Sequence, residues 1–115
     1  MEIMNGSDIT LGQVQNLSKE EYIMIDIRDE IAFAHGHIPD AKNVLPEQIM
    51  SKQTELPFDK KIIVCCKSGL ISKDAAAFLV EDGYEAYNLQ GGYQEWLLNS
   101  FLEEERFEEI EKSLR

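Results

Sequence analysis

Apolar positions along this chain fall into short runs divided by turn residues, not into long helical stripes. YIMIDI (22–27) and KIIVC (61–65) are nearly unbroken apolar stretches, the pattern of strands buried on both faces of a parallel sheet. Ile9, AKNVL (41–45) and EAYNL (85–89) read as three further short strands. Between them lie segments with helical signals. Thr10 is placed to cap a helix over 11–17, 29–35 fits a short helix, and Pro46 starts another reaching 53. A longer helix is expected over 69–81, with Ala75, Ala76, Phe78 and Leu79 on its packing side and Asp82-Gly83 as its stop. In GHIPDA (36–41), Pro39 forces the preceding residues toward extended geometry. Gly91-Gly92 precedes a last helix from Tyr93. Strands alternating with helices predict an α/β domain with a mostly parallel five-stranded sheet. Right-handed crossovers then place helices on both faces.

The composition changes at Phe101. FLEEERFEEIEKSLR holds six Glu against three Lys or Arg, and Phe107, Ile110 and Leu114 fall on one helical stripe. The expected division is a domain over 1–100 and an extra acidic C-terminal helix over 101–115. That helix either packs on its own domain, links to a partner domain, or forms a dimer contact.

Length and charge narrow the field. One hundred and fifteen residues fit a single domain, and a net charge of −11 argues against a nucleic-acid or acidic-membrane surface. No apolar run approaches the roughly 20 residues that span a bilayer, and the N-terminal segment carries no secretory signal. The two cysteines, Cys65 and Cys66, are adjacent. Neighbours in a strand point to opposite faces, so a disulfide between them would be strained. Both are expected to be thiols in a reducing cytoplasm.

The chemistry concentrates at VCCKSGLIS (64–72). Ligands of open α/β sheets sit beyond the carboxyl ends of the strands, and Cys66 lies at such an end. The chain must then turn through Lys67, Ser68, Gly69, Leu70, Ile71 and Ser72 into a helix. A helix N-terminus and converging loop amides favour thiolate over thiol, and thiolate is the nucleophile. Lys67 adds a cation. The position is expected to lower the thiol pKa and expose it to an anionic or sulfur-bearing substrate. The alternative is a small core cysteine. Cys65 belongs to the strand and is expected to be such a buried residue.

IDIRDEIAFAHGHIPDAKNV (25–44), CKSGLIS (66–72) and AAAFLVEDGYEAYNLQGGYQEW (75–96) together resemble, in order, the motifs of a single-domain rhodanese. The resemblance spans roughly 9–98. It implies a rhodanese-like fold and a sulfurtransferase. Cys66 would take sulfane sulfur from a donor as a persulfide and pass it to a thiol, cyanide or a downstream enzyme. The loop amides would cradle the outer sulfur. No cofactor is implied beyond that covalent intermediate. Many family members carry arginine where Ile71 stands, and often where Lys67 stands. Without that guanidinium a divalent donor loses a bidentate partner. Thiosulfate is therefore expected to be a poor donor, and an apolar rim of Leu70 and Ile71 suits a protein or peptide donor. Ala32 and Asp40 depart from the family's glutamate and glycine and should touch packing more than chemistry.

Asp26 is expected to brace the loop through its amides, and Arg28 to brace it or to lend positive potential. Their alternative is a structural ion pair. His35 and His37 lack further ligands, so no metal site is expected, and His37 should hold the turn. Ser68 and Ser72 are candidate donors to the persulfide. Tyr93 and Trp96 are expected to be core anchors, and Gly91-Gly92 a close backbone approach to the loop. A cysteine phosphatase would need Cys-x5-Arg, and position 72 is serine. The remaining competitor is a non-catalytic rhodanese-like interaction module. The expected partners are a small-molecule or protein-bound sulfur donor and a thiol or sulfur-using enzyme as acceptor.

Overall fold

The computed structural model describes residues 4–114. Five strands form one parallel sheet. In chain order they are β1 (Asp8–Ile9), β2 (Tyr22–Asp26), β3 (Lys42–Asn43), β4 (Lys61–Cys65) and β5 (Ala86–Leu89). They are arranged in space as β1-β5-β4-β2-β3, with every pairing parallel. The apolar runs in β2 and β4 are explained by their central place, where both faces are covered.

The helices are α1 (Leu11–Gln15), α2 (Glu30–His35), α3 (Pro46–Met50), α4 (Ser72–Glu81) and α5 (Gly92–Ser113). Thr10 caps α1 in a capping box with Gln13, as its position suggested. On one face Ile25, Val64, Cys66 and Ala86 pack against Ile49 of α3 and Ala76 and Leu79 of α4. On the other, Met24, Ile63, Cys65 and Tyr87 pack against Val14 of α1, Phe33 of α2, and Tyr93 and Trp96 of α5. The two adjacent cysteines therefore lie on opposite faces.

Three features depart from the sequence pattern. Residues 69–71 are not helical, and α4 begins only at Ser72, because Gly69 takes φ +88. Asp40 sits at φ +69, a region that favours glycine, so the departure from the family's glycine carries strain. Finally, α5 runs without a break past Phe101 to Ser113, and residues 101–114 are all exposed. Among the described residues no helix is long and apolar enough to cross a membrane.

Candidate active site

At the carboxyl end of β4 the chain passes through Cys66 into the loop 67–71 and then into α4. What matters for the sulfur is which way the peptide groups of this loop face. Three carbonyls along this stretch are bonded to other elements. Cys66 O accepts from the Tyr93 amide (2.8 Å) and Lys67 O from the Gln94 amide (3.0 Å), both in the first turn of α5. Gly69 O accepts from Nδ2 of Asn88 (2.9 Å). With these acceptors occupied elsewhere, amides are left to face the sulfur.

Glycine makes the contact between the loop and α5 possible. Gly92 adopts φ +58, and a Cβ there would meet Cys66 O and, at 2.9 Å, the Gly69 nitrogen. Gly69 in turn lies where a Cβ would come within 2.9 Å of the Gly91 nitrogen. The close approach expected of Gly91-Gly92 is thus present, and the loop owes its shape to it.

The Cys66 sulfur accepts from the Gly69 amide and the Ser72 hydroxyl, each at 3.1 Å. Burial pushes this thiol up. The hydroxyl and amide of Ser72 and the amides of Gly69 and Ser68 outweigh burial, and the net position is below an ordinary thiol. Dipoles therefore set the direction, and Lys67 is an exposed cation at the rim. The expected exposure of the thiol is corrected, since Cys66 is only 3% exposed and packs in the apolar cluster with Val64, Ala76 and Leu79. The exposed rim around it is made of Lys67, Ser68, Leu70 (71% exposed) and Ile71 (68%).

Ser72 and Asn88 form a unit that sequence reasoning missed. Asn88 is buried in β5 in register with Val64, on the Cys66 face. Its Nδ2 donates to Gly69 O and to Asp8 Oδ1 (2.9 Å each), so its Oδ1 must face the Ser72 hydroxyl as an acceptor. A hydroxyl has one proton. When Cys66 is a thiol, its S–H can donate to Ser72 Oγ while Ser72 donates to Asn88. When Cys66 is a thiolate, the Ser72 proton turns to the sulfur. The signal available in the sequence was a lone amide inside the apolar run EAYNL.

Cys65 is fully buried, and its S–H donates to Cys66 O (3.4 Å). Burial, then the charges of Asp26 and Cys66, push it up to about 12, so it stays a thiol. Asp26 does not brace the loop, which corrects that expectation. It pairs in register with Cys65, and paired residues of parallel strands share a face, so its carboxylate lies opposite Cys66. That carboxylate instead accepts from the Arg28 amide (3.0 Å), Nε (3.0 Å) and Nη2 (2.7 Å). Arg28 also donates to Gly36 O (2.6 Å) and lies 4.1 Å over the Tyr93 ring. Arg28 is therefore engaged in a structural ion pair on the Cys65 face, and its expected role at the loop is corrected too. His37 bonds Phe33 O through Nδ1 (2.9 Å) and stacks on the Phe33 ring, holding the turn.

The family model of the rhodanese-like domain matches residues 10–99. The chain is 38% identical over 81 residues to the thiosulfate sulfurtransferase GlpE of Pseudoalteromonas translucida, covering 70% of this chain and 77% of that one. It is 34% identical over 94 residues to the protein of that name from Haemophilus influenzae, covering 81% and 90%. Among solved structures, a rhodanese-related protein from Thermoplasma volcanium superposes with a TM-score of 0.73 at 26% identity, covering 81% of this chain and 92% of that one.

Proposed function

The chain belongs to the rhodanese-like domain family, and from that premise we propose that it is a sulfurtransferase carrying sulfane sulfur on Cys66. The observation that carries the reading is the Cys66 sulfur held by the Gly69 amide and Ser72 hydroxyl while the carbonyls of Cys66, Lys67 and Gly69 are bonded elsewhere. In charging, the Cys66 thiolate attacks the outer sulfur of a donor persulfide. The donor's S–S bond breaks and the donor leaves as its thiolate. In discharge, an acceptor thiolate attacks the outer sulfur of the Cys66 persulfide, and Cys66 leaves as thiolate. Sulfur is exchanged with no net oxidation and no cofactor. The dipoles that stabilise the thiolate act twice, once on the nucleophile and once on the leaving group.

Thiosulfate should be a weak donor despite the name its relatives carry. The rim offers one cation, Lys67, and an exposed aliphatic Ile71. A protein or peptide persulfide fits that rim better, and cytoplasmic thiols or a sulfur-using enzyme are suitable acceptors. The non-catalytic module is disfavoured because a thiolate-stabilising loop is superfluous to pure binding. Intact-mass measurement after treatment with a persulfide donor tests the reading. One added sulfur atom, absent in Cys66→Ser, is expected. No adduct with persulfide or thiosulfate would leave the binding module as the better account.

A further inference from the structure

We propose that the apolar groove between α3 and the start of α4, with its acidic rim, docks a basic protein segment bearing a large apolar side chain beside its sulfur atom. The groove holds about 190 Å³, room for roughly one Leu or Phe side chain, and Ile27, Ile49, Met50, Ile71 and Phe78 line it. Asp74 is its single charged wall. A wider hollow of about 620 Å³ continues it past the shared Ile27 and Pro46, adding Ile31 and the carboxylates of Asp29, Glu30 and Glu47.

Three observations choose the occupant. First, Ile71 is both a wall of this groove and the last loop residue before Ser72, so a segment anchored there lies along the candidate active site. Second, Ile31 (73%), Met50 (67%), Leu70 (71%) and Ile71 (68%) are exposed aliphatics, more than a small ligand in the groove would cover. Third, the rim of Asp29, Glu30, Glu47 and Asp74 has no salt-bridge partner among the described residues, and no Lys or Arg lines either hollow. Charge complementarity selects a basic partner. A second copy, carrying the same net charge of −11, is opposed by its own field. This deepens the sulfurtransferase reading by naming its partner's chemistry, and rests on that reading only for the transfer measurement below.

The probe is a synthetic peptide in which lysines flank a Phe-Ser pair, with two controls. One replaces Phe by Ala and the other replaces the lysines by glutamates. Methyl NMR should show the basic Phe peptide moving Ile27, Ile49, Met50 and Ile71, with affinity about tenfold above either control. The doubly substituted Glu30→Lys/Glu47→Lys protein, changed only at exposed sites, should lose the preference, as should Met50→Ser. Equal affinity for all three peptides, tighter binding of the glutamate peptide, shifts confined to another face, or a dimer that uses these methyls would overturn the proposal. With Cys in place of Ser, the basic peptide should discharge a Cys66 persulfide about tenfold faster than its controls. If Cys66 never acquires sulfur, the enzymatic reading fails by itself, and the binding titration still decides the docking surface.

Discussion

Ser72→Ala isolates the contribution of one hydrogen bond to the reactivity of Cys66. The substitution removes the hydroxyl 3.1 Å from the sulfur and keeps the amide geometry of α4. A hydrogen bond to a charged acceptor is worth about 1.5–3 kcal/mol. Some of that is offset, because the proton that turns to the thiolate leaves Asn88 Oδ1, a neutral bond of about 1 kcal/mol. The net loss of thiolate stabilisation is then about 0.5–2 kcal/mol, and a value near 1.4 corresponds to roughly tenfold less thiolate at a pH below its transition. The more basic thiolate is about threefold more nucleophilic, given a Brønsted slope of about 0.4–0.5. Exchange of Cys66 with a small neutral disulfide, followed against pH, should therefore show crossing profiles. The variant is about threefold slower on the acidic limb and about threefold faster on the alkaline plateau, with its midpoint displaced upward. Uniform slowing at every pH would mean the loop had collapsed, and coincident profiles would mean the hydroxyl does not act on the sulfur. Either result refutes the reasoning.

Other substitutions separate the loop from its surroundings. Gly92→Ala forces a side chain at φ +58 against Cys66 O and the Gly69 nitrogen, so it should lower stability by more than about 1 kcal/mol and slow sulfur uptake, read by denaturant melts and intact mass. Arg28→Lys keeps the charge but loses the two-pronged grip on Asp26, the Gly36 contact and the fit over Tyr93. It should cost about 1–3 kcal/mol of stability yet leave the pH midpoint of Cys66 exchange where it was. The folded Cys65 thiol is raised to about 12, so above its unfolded value the unfolded chain releases a proton that the folded chain keeps, and stability falls as pH rises. That loss should reach about 1–2 kcal/mol near about pH 10, and urea titrations of Cys65→Ala should show it largely abolished.

Much of this was visible in the chain itself, for identifiable reasons. KIIVC is a strand over the same residues as β4, because an uninterrupted apolar run in an α/β pattern has few other places to go. That Cys65 and Cys66 lie on opposite faces was legible from strand parity alone. The same parity, applied across β2, would have put Asp26 on the Cys65 face, but that step needs the register Asp26↔Cys65, which no local signal supplies. The start of α4 at Ser72 is not legible in the sequence, because Gly69, Leu70 and Ile71 carry no helix-breaking signal beyond one glycine. The space that excludes any side chain at Gly69 is closed by Gly91 and Leu89, some twenty residues downstream. The role of Asn88 is hidden for a related reason, since its partners Asp8, Gly69 and Ser72 are remote in sequence and meet only when β1, β4 and β5 assemble.

Peptide and hydroxyl dipoles favour the thiolate of Cys66, while burial keeps its neighbour a thiol. Ultraviolet thiolate absorbance of the native protein, titrated with pH and compared with Cys66→Ser, measures this directly. One transition is expected below the ordinary thiol value of about 8.5, missing in the variant, with Cys65 silent until far into the alkaline range. A Cys66 transition at or above that ordinary value, or two cysteines titrating together, would contradict it.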